Sequence, residues 1–194
     1  MSDRRDDGRS GDDDADATAD DGTSADAAAN DGQVFDRLPA TAAERDVPGR
    51  ASRAEVVQWW AERFGVPADA FDGYTFWEKG KGKVWILHAD LETPVDVEGL
   101  GMTFLRTRQE HWKPTTDAVQ RFGRRATKNV VHLSRERAER FVRGEDQSVE
   151  WDGDWGYLAV AHDVAGDAEP LGVGLYLHGE LRSQVPKGRQ EDVS

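Results

Sequence analysis

The sequence predicts an α+β fold: a small mixed unit followed by a β-barrel, behind a disordered acidic N-terminal tail. Three observations lead there. A capped, helix-periodic segment over residues 52–65 gives way to alternating apolar segments. A second short amphipathic helix is predicted after Ser134. Beyond Gln147, short β-rich segments alternate with turn-forming pieces.

Residues 1–33 are mostly Asp, Ala, Gly, Ser and Thr, with almost nothing to bury, so they are expected to be disordered. Gln33 to Arg50 reads as linker, with Phe35 the residue through which it could dock. Ser52 to Glu55 has the form of a capping box, and Val56, Trp59, Trp60 and Phe64 recur at helical spacing before Gly65. Such an aromatic stripe can stack bases, but it reads first as the face that docks the helix. Tyr74 to Glu78 and Val84 to His88 read as strands joined by the turn Lys-Gly-Lys-Gly-Lys, and Gly101 to Arg108 reads as a third. Pro114 opens a helical pattern through Ala118, Val119 and Phe122 that ends near Gly123. A strand over 129–133, a helix capped by Ser134 and closed by Gly144, and strands near Val149, 157–162, 171–177 and 181–185 complete the chain. The expected division is tail and linker 1–50, an α+β unit 51–127, and a barrel of short strands 128–190.

Composition narrows the function. With 194 residues, 37% of them hydrophobic, and seven Trp, the chain can bury one sizeable core or two small ones. No apolar run reaches bilayer length, and the start MSDRRDDGRSGDDD carries no apolar segment behind its arginines, so a soluble cytoplasmic protein with no membrane partner is expected. Cysteine is absent, which excludes disulfides, thiolate metal sites and a cysteine nucleophile. A net charge of −13, with Arg far outnumbering Lys, is the surface chemistry of a protein working in strong salt. There the Debye length falls to about 3 Å at 1 M, so a working basic patch must act by close contact.

Against that acidity the cations cluster. Lys79, Lys81 and Lys83 share one glycine-hinged turn. It is not a phosphate-binding loop of the Walker kind, because Lys83 leads into a strand. It serves either as a solvated hairpin tip or as a grip on a phosphodiester backbone, and the second reading is adopted here. From Thr103 to Arg143 eleven Lys or Arg face four acids. Arg135, Arg137 and Arg140 have acids beside them on a helix, whereas Arg106, Arg108, Lys113, Arg121, Arg124, Arg125 and Lys128 have fewer local acids and are expected to form a polyanion surface. The flanking Trp77, Trp85 and Trp112 could stack bases, although core packing suits the two strand tryptophans better. The five histidines are dispersed and no metal site is expected. Leu171-Gly172-Val173-Gly174 lacks the third glycine of a dinucleotide fingerprint, so no cofactor is expected; its glycines permit close approach of a strand or of RNA.

NVVHLSRERAERFVRGED, GYLAVAHD and PLGVGLYLHGELRSQVPKG, in that order, resemble the PUA class of RNA-binding barrels. The run from Gly101 onward is similar to the C-terminal region of RsmF/Sun-type RNA cytosine-5 methyltransferases. The pre-PUA plus PUA arrangement is also similar to that of a small archaeal and eukaryotic ribosome-biogenesis factor. The resemblance implies an RNA-binding module of rRNA or tRNA maturation, with Arg143, Gly144, Glu145, Gly172, Gly174, Lys187 and Arg189 on the surface that faces RNA. The methyltransferase domain and its S-adenosylmethionine loop are not found, and without cysteine the attack on cytosine cannot be made, so no enzymatic activity is expected. The chain is therefore read as a non-catalytic RNA-binding protein of rRNA processing, RNA modification or ribosome biogenesis. The alternative is an adaptor for a separately encoded RNA methyltransferase or a ribosomal protein. A small enzyme using carboxylates or histidines has no recognisable catalytic spacing to support it.

Overall fold

A computed structural model of the protein describes residues 34–80 and 82–190. The acidic tail over 1–33 and Lys81 lie outside the described residues. Two five-stranded sheets are joined by helices, and the second sheet curls into a half-barrel.

The first sheet is an antiparallel meander of β1 (Asp36–Arg37), β2 (Thr75–Glu78), β3 (Lys83–Leu87), β4 (Met102–Arg106) and β5 (Lys113–Pro114). Its first strand belongs to the segment expected to be linker. Phe35 is fully buried with Trp77 and Leu100, its ring 5.3 Å from Trp85 and edge-on to it. Asp36 and Arg37 then pair with Glu78 and Trp77, because once the ring is seated the backbone lies along a free strand edge.

Helix α1 (Arg53–Phe64) begins and ends where its sequence says. Ser52 accepts from the Glu55 N–H, Glu55 reaches back to the Ser52 N–H, and Gly65 closes the helix at φ 65°. Val56, Trp60 and Phe64 are buried at intervals of four, and Trp60 stacks on Phe104 at 4.9 Å. Trp59, one position off that stripe, is only half-buried. Helix α2 (Thr116–Phe122) starts two residues later than Pro114: Pro114 pairs with Leu105 in β5, and the Thr115 hydroxyl caps the helix by accepting from the Ala118 N–H.

The second sheet has the order β6 (Val130–His132), β8 (Gly156–Val164), β9 (Asp167–Leu177), β10 (Glu180–Ser183), β7 (Gln147–Ser148). The β6–β8 pair is parallel and the others antiparallel. Helix α3 (Arg135–Val142) covers it with Ala138 and Phe141, although the Ser134 side chain makes no capping bond. The strands expected over 157–162 and 171–177 are longer, 9 and 11 residues. Ala165 (φ 54°) and Gly166 (φ 97°) form a tight turn that lets the hairpin pair to its tip.

The largest apolar core runs through both sheets. Ala118, Val119 and Phe122 of α2 pack with Trp60 and Phe104 on one side and with Ala159 and Val173 on the other. A second cluster, around Phe141, Leu158 and Leu181, fills the half-barrel. Among the described residues no helix is long and apolar enough to cross a membrane.

Candidate nucleic-acid interface

The lysine-glycine turn is braced from beneath. Glu78 at the end of β2 is 7% exposed, accepts the Gly82 N–H at 2.5 Å and forms an ion pair with Arg50 at 2.8 Å. Gly80 and Gly82 both take positive φ, 73° and 74°. Gly82 cannot be replaced freely: a Cβ there would lie 2.7 Å from the Arg108 backbone nitrogen. Its carbonyl accepts the Thr107 N–H at 2.7 Å, so the turn rests directly on the loop between β4 and β5.

Strand register then aligns three cations. Lys83 pairs across the ladder with Arg106, and Arg106 with Lys113. Directly opposed residues project to the same side of a sheet, so Lys83, Arg106 and Lys113 form one row across β3, β4 and β5. The Lys83 ammonium sits 4.6 Å over the Trp85 ring, and that of Lys79 lies 5.1 Å over Phe35 while donating to the Val97 carbonyl. Lys113 donates to Gln184 at 2.6 Å and lies 5.9 Å from the Tyr157 ring. Burial, and then repulsion from Arg106, push its pKa below the ordinary lysine value. Among the described residues Arg106, Arg108, Lys128 and Lys187 make no ion pair with a carboxylate.

The other expected contact residues are engaged within the protein. Arg121 donates to the Tyr74 hydroxyl, Arg124 pairs with Glu169, and Arg125 holds both oxygens of Asp69 at 2.9 Å. The Arg125 hydrogen bonds lower the Asp69 pKa. These partners stand 45 to 56 residues away in sequence, out of reach of a count of local acids. Arg143 lies 3.7 Å from Glu139, Glu145 accepts from Arg140 at 2.8 Å, and Arg189 pairs with Asp117. Fold does unite the Arg143-Gly144-Glu145 turn with the C-terminal segment: Gln190 of α4 (Lys187–Gln190) lies over Gly144, where a Cβ would meet its amide at 2.3 Å.

Gly172 and Gly174 lie inside the protein. Both are buried, and a Cβ would meet Thr116 of α2 at 2.8 Å and Leu181 at 2.5 Å, respectively. Their small size makes room on β9 for α2 and for the Leu181 side chain. Trp77 is likewise core.

Trp112, which on the sequence alone could stack bases, stands in the wall of an aromatic cleft. The cleft, of about 650 Å³, opens where α1, the 107–112 loop and the start of β8 meet, walled by Trp59, His111, Trp112, Trp155 and Tyr157. Arg63 of α1 holds it together, donating to the Tyr157 carbonyl at 2.8 Å and the Trp155 carbonyl at 2.9 Å. Burial lowers the Arg63 pKa, with nearby Asp154 opposing, and burial raises that of Tyr157. Trp59 belongs to the stripe that reads first as the docking face of α1, and Trp155 follows an Asp-Gly-Asp turn with no periodicity, so only Trp112 is legible in the sequence as a stacking residue. Among the described residues no group of three or more His, Asp or Glu could hold a metal ion.

Comparison with known families divides the chain. A family of unknown function, DUF7122, matches residues 19–101. The family described as the methyltransferase RsmF PUA domain, which is not a catalytic methyltransferase domain, matches residues 128–190. Comparison with curated proteins finds no match. The half-barrel is accordingly a PUA-like module resembling the C-terminal region of RsmF.

Proposed function

We propose that the protein is a non-catalytic, cytoplasmic RNA-binding protein that grips structured rRNA or tRNA during RNA maturation or ribosome assembly. The observation that carries this reading is the row Lys83–Arg106–Lys113, set beside the unpaired Arg108 in a chain of net charge −13. Cations without carboxylate partners on an acidic protein are free to meet another anion. A row across three strands offers charges at roughly the strand spacing of about 5 Å, suited to successive phosphates of one backbone. The PUA-like module supports RNA as the polyanion. On its side, Lys187 and the Arg143-Gly144-Glu145 turn meet through Gln190, and Lys113 reaches across to Gln184. Arg124 and Arg125, already paired, contribute less than the row.

Crosslinking in cells, with sequencing of the bound RNA, names the substrate. Binding of that RNA by the purified chain then tests the surface. Arg106→Glu with Arg108→Glu is expected to lower affinity at least about tenfold and to reduce the slope of log K against log salt by about 2. Arg124→Glu with Arg125→Glu is expected to lose clearly less. The reverse ranking moves the contact to the end of α2. No loss in either variant, with protein partners retained from RNase-treated lysate, replaces the RNA reading with that of an adaptor.

A further inference from the structure

We propose that the aromatic cleft between α1, the 107–112 loop and β8 is a pocket for a single unpaired nucleobase; the proposal rests on the RNA reading above. Trp155 is 59% exposed, the most exposed large hydrophobic side chain among the described residues. Its carbonyl accepts from Arg63 at 2.9 Å, and its indole meets the His111 ring edge-on at 5.0 Å. An aromatic face left in water at the mouth of the cleft offers a base a platform to stack on.

The other walls suit a flat aromatic guest. Trp59 and Trp112 lie 6.3 Å apart with their planes tilted by 38°, and Tyr157 stands beside them. The volume of about 650 Å³ lies within the range of about 300–1,000 Å³ usual for small-ligand sites. Gln109, Glu110 and Asp154 at the lining supply donors and acceptors for a base edge.

Charge decides which part of a nucleotide enters. Glu110, Asp154 and Arg63 line the cleft, with Arg63 3.8 Å from Asp154 and its other donors held by backbone carbonyls. The lining therefore keeps a net negative charge that disfavours a phosphate, whereas Arg106, Arg108 and Lys113 are not among the lining residues. The 107–112 loop runs from Arg106 and Arg108 straight to His111 and Trp112, and Lys113 lies 5.9 Å from Tyr157. A backbone held on the cation row can therefore turn one base into the aromatic walls while its phosphates stay on lysine and arginine. A neutral apolar peptide would use the walls but leave the neighbouring cations without a role.

The test uses the full chain and two RNAs, a blunt duplex and the same duplex carrying one bulged nucleotide, each base tried in turn. At least one bulged duplex is expected to bind about tenfold tighter than the blunt one, the gain of one base–aromatic stack. Trp155→Ala is expected to erase that gain and leave blunt-duplex affinity unchanged, while Trp155→Phe keeps part of it. Because Trp155 is exposed, the thermal midpoint of both variants is expected to stay at the parent value. Equal affinity of the parent for all the RNAs, or a loss in Trp155→Ala that is the same for blunt and bulged duplexes, overturns the base pocket while leaving the phosphate grip standing. Absence of binding to every RNA overturns both.

Discussion

Glu55 shows how much one side chain can organise. Its carboxylate accepts from the Ser52 N–H at 2.8 Å, from the Ser52 hydroxyl at 2.9 Å and from Arg45 at 2.6 Å. The Arg45 hydrogen bond is the chief cause of its lowered pKa; burial, the next largest influence, pulls the other way, and the Ser52 bonds add to the lowering. A carboxylate whose pKa is lower folded than unfolded contributes stability above its unfolded value, ordinarily near 4.5, and loses it as pH falls through the folded one. Glu55→Gln keeps an oxygen to accept from Ser52 but removes the charge facing Arg45, so it is expected to cost up to about 1 kcal/mol at neutral pH, the scale of a partly exposed ion pair. Thermal melts should show that difference closing in acid; a gap that persists there would mean that packing, not charge, is what the substitution removed. The Ser-Arg-Ala-Glu spacing made this contact legible, because both partners lie within one turn of helix. Arg125 was not legible in the same way, since its partner Asp69 is brought to it only by the fold.

At the scale of elements, the segment around β1 is anchored chiefly by Phe35, with Leu38 also buried. Phe35 has no exposed surface, and its neighbours Trp77, Trp85 and Leu100 are spread over β2, β3 and the loop before β4. Phe35→Ala is expected to cost about 3–5 kcal/mol and to free Asp36 and Arg37 from β2. Urea melts read the first effect and hydrogen exchange at Leu38, whose N–H donates to the Phe76 carbonyl, reads the second. An exchange rate at Leu38 unchanged by the substitution would show that strand pairing, not the ring, holds the segment. Val34, Phe35 and Leu38 ahead of Pro39 carry no clear period, so this strand could not be read in advance. By contrast α1, α3 and the hairpin strands followed from period and punctuation, with ends displaced by a few residues where a turn such as Ala165-Gly166 let pairing continue.

Across the whole molecule, α2 ties the two sheets into one core. Its Ala118, Val119 and Phe122 pack on both sides, its Gln120 donates to the Leu171 carbonyl, and Gly123 lies against Pro170. Removing α2 would expose Ala159 and Val173 to water. The chain is accordingly expected to unfold in a single thermal transition, and a fragment of residues 128–190 is expected not to fold alone. Calorimetry of the full chain and an amide spectrum of the fragment check both; a well-dispersed fragment spectrum would show that the half-barrel closes its own core. The candidate surface depends on the same joint, because Lys113 with Gln184 and Arg63 with Tyr157 and Trp155 connect the sheet-one side to the half-barrel.

The sequence by itself determined the α+β class, the order and kind of most elements, the capped first helix and the concentration of cations in an acidic chain. Each is encoded within a few residues, by period, cap, turn or charge run. Tertiary structure decided which of those cations stay unpaired. Asp69 and Glu169 take Arg125 and Arg124 from afar, while strand register gathers Lys83, Arg106 and Lys113 into a row. It also decided that Gly172 and Gly174 serve packing, and that tryptophans from 59, 112 and 155 share one cleft. The physical reason is common to all of these: ion pairing, burial and proximity depend on distance in space, and residues tens of positions apart have none until the chain has folded.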